Sequence, residues 1–303
     1  MRILVSGASG FIGRRLLPLL AAYGHDVVAL KRGQAGVPND LADIDGWADW
    51  PEGIDALVHL AALNPSRGDA AMRDVSGLHR ANVEGSRALA QRAAAEGVRR
   101  FVFLSSANVH QPSGLTPVHE SDALAPQSAY AASKLAAETM LKQVAAETGL
   151  ELCVLRPTPV YGPGGRGMIA GLLKVARTGM PLPFDQKTAR RSILALDNCL
   201  DAILAALTHP GAGGETFLLA DKAPLSLGEM VAAMRRGLGR PARLLPFPET
   251  AMRAASGLLG RKETFDLLFG SFVIDGSHIR TVLDWAPPLS SEEGFRRAVL
   301  GVT

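Results

Sequence analysis

The first thirteen residues constrain the fold of this chain more than any other stretch. Residues 3–5 are apolar and branched, as in a buried strand, and glycines follow at positions 7, 10 and 13. Leu16 and Leu20 continue a helical pattern after the last glycine. Such a turn lets backbone N–H groups approach a dinucleotide pyrophosphate, because no Cβ intervenes. A tight turn that binds nothing is the alternative. We predict cofactor contacts from Gly7, Ser9, Gly10, Phe11, Ile12 and Gly13.

Alternating strands and helices predict the fold class. Strands are expected at Asp26–Leu30, 54–60, Arg100–Leu104 and 150–155, with helical patterns between most of them. This order is typical of an α/β fold, a doubly wound parallel sheet (Rossmann fold) with right-handed crossovers. Ligands of such sheets bind beyond the carboxyl ends of the strands. We therefore expect the glycine turn, Ala61-Ala62 and Ser105-Ser106 to lie on one rim.

Beyond residue 160 the alternation weakens, which predicts a second structural unit. Helical patterns near 168–178, 196–208, 226–238, 249–258 and 276–283 are separated by proline-containing loops. We expect residues 1–160, with a return segment at about 191–222, to form the dinucleotide-binding domain. Residues 161–190 and 223–303 would form a smaller, mostly helical substrate lobe.

The composition is that of an ordinary soluble globular protein, with 47% hydrophobic and 20% charged residues. The formal charge is only +3 and no basic run is interleaved with aromatic residues, so we expect no nucleic-acid partner. The cluster Arg235, Arg236, Arg240 and Arg243 is interpreted as a solvated face.

The two cysteines, Cys153 and Cys199, lie in apolar segments, and no Cys/His cluster is present. We therefore predict no metal site and no disulfide. Two reduced thiols and the absence of a leader or spanning segment fit a cytoplasmic enzyme without membrane insertion.

The end of the second strand bears on the choice of cofactor. An acidic residue there favours NAD, whereas a basic residue accommodates the 2′-phosphate of NADP. The chain has Lys31 and Arg32 at this point, and its nearest acid, Asp26, is at the other end of the strand. We expect NADP to be favoured and NAD to be possible; two solvated loop cations are the alternative. Further predicted cofactor contacts are Asp40 and Leu41, at the end of a short strand near the adenine, and Leu60, Ala61 and Ala62.

A tyrosine and a lysine four residues apart predict acid/base chemistry. Tyr130 and Lys134 lie on one face of a helix expected over 127–148. A nearby cation favours phenolate, so Lys134 is expected to lower the Tyr130 pKa from its usual value near 10. Tyr130 would exchange a proton with a substrate hydroxyl or carbonyl oxygen. Ser106, at the end of the preceding strand, would form a hydrogen bond to that same oxygen. His59 is interpreted as a core histidine rather than a base.

With these motifs in order, the chain resembles the extended short-chain dehydrogenase/reductases of the NAD-dependent epimerase/dehydratase family. The matching pieces to about residue 165 are 7–13 (GASGFIG), 59–62 (HLAA), 82–86 (NVEGS), Ser105-Ser106, Tyr130 with Lys134, 155–157 (LRP) and 160–163 (VYGP). Looser matches follow, at 190–193 with Asp197, at Ile274-Asp275 and at 283–285 with Pro288.

The resemblance implies Ser106, Tyr130 and Lys134 as catalytic residues and a nucleotide-sugar substrate. It also implies cofactor contacts from Tyr130, Lys134, Pro157 and Val160, and Lys134 can hold the nicotinamide ribose. Substrate contacts would come from Ser106, Asn108, Arg166 and Arg190, with Arg190 on the diphosphate. A homodimer is common in this family.

Departures from the family pattern favour one reaction within it. Ala107 and Asn108 replace the Asp-Glu pair of the 4,6-dehydratases, so dehydration is not expected. His110 and Gln111 replace the usual Tyr-Gly, which puts loop contacts to the substrate in doubt. Segments at 181–184, 190–192 and 220–222 resemble bacterial reductases of UDP-4-keto-6-deoxy-N-acetylhexosamines.

The sequence therefore predicts reduction of a 4-keto group on a nucleotide-linked sugar, with Tyr130 as proton donor. Two alternatives stay open. One is a 4-epimerase with retained NAD, and the other is a non-catalytic NAD(P)-sensing protein.

Overall fold

The computed structural model describes residues 1–31, 33, 37–64, 74–112, 114–183, 189–246 and 269–301. Its strands are β1 (Arg2–Ser6), β2 (Asp26–Leu30), β3 (Ala56–His59), β4 (Arg100–Leu104), β5 (Gly114–Val118), β6 (Glu151–Pro157), β7 (Val160–Tyr161), β8 (Leu194–Ala195), β9 (Thr216–Leu219) and β10 (Phe272–Ile274). Its α-helices are α1 (Gly13–Ala22), α2 (Val75–His79), α3 (Gly85–Ala95), α4 (Ala129–Thr148), α5 (Gly167–Thr178), α6 (Leu196–Thr208), α7 (Leu227–Gly237), α8 (Ser277–Leu283) and α9 (Ser291–Leu300).

A six-stranded parallel sheet in the order β2-β1-β3-β4-β6-β9 forms the centre of the molecule. The chain passes from β1 to β2 on one side and returns to β3 on the other. Parallel sheets bind ligands where the strand order reverses in this way. The sheet with its flanking helices confirms the predicted Rossmann-type fold, and the reversal places the crevice between the ends of β1 and β3.

Strand alternation produces an apolar core on each face of the sheet. Ile3 and Val5 lie in the core that includes residues of α1, α6 and α8, whereas Leu4 lies in the opposite core with residues of α3 and α4. Cys153 and Cys199 are free thiols buried in the first core. Because both faces of the central strands are covered, those strands are near-continuously apolar.

A third core packs α5, α7 and α9 around Tyr161 and Phe295, whose rings stack 4.4 Å apart. Two small parallel sheets, β7–β8 and β5–β10, lie outside the central sheet. Among the described helices, none combines the length and apolar character that a membrane span requires.

Several expectations about individual elements need correction. Asp40 does not end a strand: its side chain accepts from the Ala42 N–H at 3.0 Å and caps a 3-10 turn, Leu41–Gly46. Residues 69–97 are expected to be mostly helical from their apolar spacing, and the described part is helical over 75–95, with a π-helical turn, Arg80–Glu84, between α2 and α3. Helix α9 and strand β5 were not predicted. The helical pattern at 249–258 falls outside the described residues.

The arginine cluster predicted as a solvated face is only partly one, because Arg235 is fully buried. Its guanidinium donates to the carbonyl oxygens of Met180 at 2.5 Å, Ala176 at 3.4 Å and Ala242. Carbonyl oxygens at the end of α5 are natural partners for a cation. Arg235 therefore joins α5, α7 and the loop after α7.

Replacement of Gly7 by alanine tests the packing at the sheet switch point. A Cβ there would lie 2.5 Å from the Ala61 backbone nitrogen, and the Gly7 φ is +71°. Gly53 is a matched control, with φ +66° but no neighbour within 4 Å of a built Cβ. We expect Gly53→Ala to lower the free energy of unfolding by about 1 kcal/mol. Gly7→Ala should cost about 3 kcal/mol or more, since a backbone clash is added. Equal losses in urea denaturation would contradict this packing.

Candidate active site

The glycine turn (residues 7–13) packs directly against the loop after β3. A Cβ on Gly7 would meet the backbone of Leu60 and Ala61, and one on Gly13 would overlap the Gly7 carbonyl oxygen. The structure thus brings together two predicted cofactor-binding segments that are about fifty residues apart in sequence. Ser9 and Gly10 in the turn and Ala62 in the loop after β3 are exposed.

Helix α1 begins without any side-chain cap or acidic residue in its first turn. Among the described contacts, neither the Phe11 nor the Ile12 backbone N–H donates to a protein acceptor. Free N–H groups at a helix N-terminus next to a turn without Cβ atoms suit a pyrophosphate. The residues present therefore fit a dinucleotide, with its phosphates held by the glycine turn.

The structure describes one of the two cations that are predicted to favour NADP. Lys31 is exposed directly after β2, whereas Arg32 falls outside the described residues. Asp26 pairs with Arg2 at 3.1 Å, at the start of the strand. Asp40 is half-buried and accepts from Arg80 at 2.7 Å. Asp26 and Asp40 thus both have cationic partners, and Lys31 is exposed at the end of β2.

Helix α4 presents the predicted acid/base pair. The Ser128 side chain accepts from the Ala131 N–H at 3.1 Å and caps the helix, so Tyr130 lies in its first turn. Lys134 follows one turn later and is 2% exposed. Its Nζ atom lies 4.0 Å from the centre of the Phe103 ring on β4, a cation–π distance.

The electrostatics of this pair differ from the expectation. Burial raises the pKa of Tyr130 to about 12, although the side chain as a whole is only half-buried. Burial also lowers the pKa of Lys134 to about 7, against the opposing effect of the Glu138 carboxylate. The predicted lowering of the Tyr130 pKa by Lys134 is therefore wrong for the protein alone. Desolvation is the largest cause of both pKa shifts.

A buried ion pair lies one further turn along α4. Glu138 accepts from the Arg156 guanidinium at 2.6 Å, and both residues are almost completely buried. Glu138 also accepts from the Ser105 hydroxyl. These contacts join α4 to β6 and to the carboxyl end of β4. They fix the residue next to Ser106 relative to the helix that carries Tyr130 and Lys134.

The segment after β4 contains the residues that depart from the family pattern. Ser106 is buried and its Oγ atom accepts from the Asn108 N–H at 3.2 Å, which caps a 3-10 turn, Ala107–Val109. The Asn108 side chain is exposed at the rim. His110 is buried and its Nε2 atom lies 2.9 Å from the Arg156 Nη1 atom. His110 therefore contacts the buried ion pair of Glu138 and Arg156.

The two predicted substrate arginines, Arg166 and Arg190, lie in the part of the chain after β7. Arg166 is exposed before α5, next to Gly165, where a Cβ would lie 3.5 Å from the Phe11 ring. Arg190 is half-buried and already paired: both its terminal nitrogens donate to the Glu229 carboxylate at 3.2 Å, and one also donates to the Pro224 carbonyl oxygen at 3.0 Å. The family resemblance did not indicate this pairing.

Pro157 and Val160 lie at the carboxyl end of the sheet. Pro157 is the buried last residue of β6, and half-buried Val160 begins β7. Both positions share the rim with Ser106.

Two polar residues of the site were missed as functional candidates, Asn82 and Ser133. The Asn82 amide nitrogen donates to the Ser133 hydroxyl at 2.9 Å, and Ser133 donates to the Tyr130 carbonyl oxygen at 2.8 Å. Asn82 lies in the π-helical turn, a conformation that often marks functional sites. The only signal in the sequence was its membership of the motif at 82–86.

Comparison with known proteins decides the family. The model of the NAD dependent epimerase/dehydratase family matches residues 3–220. The chain belongs to this family. The predicted resemblance is thereby confirmed, and the protein is an enzyme of the NAD-dependent epimerase and reductase type.

Two curated relatives and one solved structure illustrate the range of this family. A UDP-glucose 4-epimerase of Vibrio cholerae is 31% identical over 306 residues, covering 97% of this chain and 93% of the relative. A ketoreductase of Stigmatella aurantiaca, named for a farnesylated 3-oxo-dihydroquinoline oxide, is 30% identical over 272 residues, covering 85% of this chain and 79% of the relative. The structure of RMD from Pseudomonas aeruginosa complexed with NADPH has a TM-score of 0.78 at 24% identity, covering 99% and 98% of the two chains, and shares the fold.

Removal of the Glu138 charge should change the pH dependence of turnover. Glu138 raises the pKa of Lys134, so Glu138→Gln should lower it further below about 7. The charged fraction of Lys134 falls as pH rises through its pKa. If catalysis needs that charge, the high-pH limb of the kcat profile should move to lower pH by about one unit. Glu147→Gln, on the exposed side of the same helix, is the control. An unchanged profile for Glu138→Gln would contradict the electrostatic assignment.

Proposed function

We propose that this protein is an NAD(P)-dependent oxidoreductase that reduces a 4-keto group on a nucleotide-linked sugar. The observation that carries the proposal is the placement of Tyr130 in the first turn of α4, a helix that packs against the turn Ala107–Val109 directly after Ser106. Reduction of a ketone needs a proton donor beside the carbonyl oxygen. A protonated Tyr130 can fill that role without prior ionisation.

The residues around Tyr130 divide the remaining work. Lys134, whose pKa is about 7, can carry a positive charge near the phenol and stabilise the phenolate left after proton donation. Ser106 can donate a hydrogen bond to the same substrate oxygen, because its Oγ hydrogen is not used by the Asn108 N–H contact. When bound, the nicotinamide would supply the hydride.

The proposed substrate class rests on the family and on cations around the crevice. The Vibrio cholerae relative, similar along almost the full length of the chain, is named for a UDP-sugar. Arg166 is exposed before α5 and Arg190 is half-buried on the same lobe. A diphosphate would contact Arg190 through the N–H groups that Glu229 and Pro224 leave free.

A preference for NADP is part of this proposal. Lys31 is exposed directly after β2, and Arg32 follows it in sequence. A reductase must exchange its cofactor in every turnover, and use of NADPH suits that cycle. We expect Lys31 and Arg32 to contact the 2′-phosphate.

A 4-epimerase is the second candidate. The observation in its favour is the 31% identity to the Vibrio cholerae UDP-glucose 4-epimerase. In that reaction Tyr130 would first remove the proton of the 4-hydroxyl, and the raised pKa of Tyr130 makes this direction harder without help from Lys134. A purely cofactor-sensing role is disfavoured, because this chain keeps both Tyr130 and Lys134.

Turnover on a panel of UDP- and dTDP-sugars and their 4-keto derivatives separates the candidates. We expect net NADPH oxidation with a 4-keto nucleotide sugar. We expect none with the corresponding nucleotide sugar that lacks the 4-keto group. Tyr130→Phe should lower kcat by a factor of about 100 to 10,000, because it removes the acid while cofactor affinity stays within about threefold. Tyr23→Phe, on the surface, is the control. Near-normal turnover by Tyr130→Phe would show that another group donates the proton.

The cofactor assignment has its own test. The double variant Lys31→Ala/Arg32→Ala should reduce the ratio of NADPH to NADH efficiency by about tenfold or more, since each charge-assisted bond contributes roughly 1.5–3 kcal/mol. Lys142→Ala, an exposed lysine on α4, is the matched control. If the double variant keeps the wild-type ratio, these cations do not contact the 2′-phosphate.

A further inference from the structure

His59 is a completely buried histidine whose two ring nitrogens both have hydrogen-bond partners. It is the last residue of β3 and lies on the face of the sheet that α3 and α4 cover. Its Nδ1 atom is 2.5 Å from the Ser6 hydroxyl, at the end of β1. Its Nε2 atom is 2.8 Å from the Ser86 hydroxyl, on α3. His59 thus connects the ends of two strands to a helix behind the crevice.

The direction of these hydrogen bonds follows from the number of hydrogens available. Ser86 has one hydroxyl hydrogen and donates it to the Asn82 carbonyl oxygen at 2.6 Å. The Ser86 oxygen must therefore accept from His59, so Nε2 carries the ring hydrogen. Burial, together with the charge of Lys134, lowers the pKa of His59 to about 3, so the ring is neutral. Its Nδ1 atom then accepts from the Ser6 hydroxyl.

The same chain of hydrogen bonds extends beyond His59 in both directions. At one end the Ser6 oxygen accepts from the Ala61 N–H at 3.4 Å, beside the glycine turn. At the other end, Asn82 in the π-helical turn donates to Ser133, and Ser133 donates to the Tyr130 carbonyl oxygen. Each hydrogen in this path has one acceptor, and the second hydrogen of the Asn82 amide goes to the Leu63 carbonyl oxygen at 3.0 Å. The path therefore has a single arrangement.

A ring stack provides a second connection, from His59 to Lys134. The His59 and Phe103 rings stack with centres 5.6 Å apart, and Lys134 Nζ lies 4.0 Å from the centre of the Phe103 ring. His59 is paired with Phe103 in the β3–β4 register. Its ring therefore supports the aromatic surface on which the lysine rests.

We propose that His59 is a positioning residue for Tyr130 and Lys134. Held as the Nε2–H tautomer between Ser6 and Ser86, it sets the first turns of α4 relative to the glycine turn and so relative to a bound dinucleotide. His59 itself touches neither substrate nor cofactor. Its effect on turnover comes from geometry, since small misplacement of a catalytic group lowers rate strongly.

Three variants separate this role from ordinary packing. His59→Leu removes both hydrogen bonds, and we expect kcat to fall about 10- to 100-fold with KM for the sugar within about twofold. His59→Gln can still donate to Ser86, and should recover most of the lost kcat. Phe101→Leu is the packing control, because Phe101 contacts the His59 ring edge-on at 5.9 Å but is outside the path. It should lower the melting temperature and leave kcat unchanged. Equal kcat losses in His59→Leu, His59→Gln and Phe101→Leu would overturn the proposal.

Ser86→Ala removes the hydroxyl that accepts from His59, and so interrupts the same path at a second residue. It tests the proposal even if His59→Leu does not fold. It should lower kcat to a similar extent. Because both changes interrupt one path, the double variant His59→Leu/Ser86→Ala should be no slower than the slower single variant, within about twofold. A loss equal to the product of the two single losses would show two independent effects and would overturn the proposal.

A readout without turnover keeps this inference distinct from the proposed function on which its kinetic tests rest. The chain has only three tyrosines, Tyr23, Tyr130 and Tyr161, so ¹³C-tyrosine labelling gives three resolvable NMR signals. We expect His59→Leu and Ser86→Ala to shift the Tyr130 signal while Tyr23 and Tyr161 keep theirs, and Phe101→Leu to shift it much less. An unmoved Tyr130 signal would refute the positioning role, whichever substrate the enzyme uses. Absence of turnover by the wild-type protein on sugars would instead refute the proposed function.

Discussion

The close approach of Gly7 to Leu60 and Ala61 is the contact on which the rest of the site depends. It is possible only because position 7 has no Cβ and a φ of +71°. The contact brings the ends of β1 and β3 together at the point where the sheet order reverses. The crevice, the uncapped start of α1 and the rim with Ser106 all take their places from this arrangement.

The second constraint is the burial of charge on α4. Lys134 is almost inaccessible to solvent and its pKa is lowered to about 7. Glu138, one turn further along α4, forms a buried ion pair with Arg156 on β6. Buried ion pairs contribute little to stability by comparison with apolar packing. Their value here is geometric: Glu138 holds Ser105 and supports the charge of Lys134. The buried charges lower stability and fix the acid/base site, as is usual at active sites.

Local sequence patterns predicted much of the framework, because most of it is determined by periodicity and turn chemistry. The bounds of β2, β4 and α6 follow directly from apolar runs and helical spacing. The glycine turn is recognisable because its function demands residues without Cβ atoms at fixed positions. In contrast, the prediction that Asp40 ends a strand is wrong. Asp40 caps the turn Leu41–Gly46 through a bond from the Ala42 N–H, and the apolar pattern does not show that bond.

Long-range partners could not be predicted in the same way. The pairing of Arg190 with Glu229 joins residues 39 positions apart, and Arg156 meets His110 across 46 positions. The pKa values of Tyr130 and Lys134 depend on how deeply the folded chain buries them, which spacing along one helix does not reveal. The path through His59 depends on the sheet register that sets β1, β3 and β4 side by side.

The most direct test of the central claim follows the transferred hydrogen rather than the rate. NADPH carrying deuterium at the transferable C4 position would be incubated with a UDP-4-keto-6-deoxy sugar, and the product analysed by mass spectrometry and NMR. A 4-keto reductase places one deuterium at C4 of the product for each NADPH oxidised. Product without deuterium, or sugar epimers formed with no oxidation of NADPH, would contradict the account.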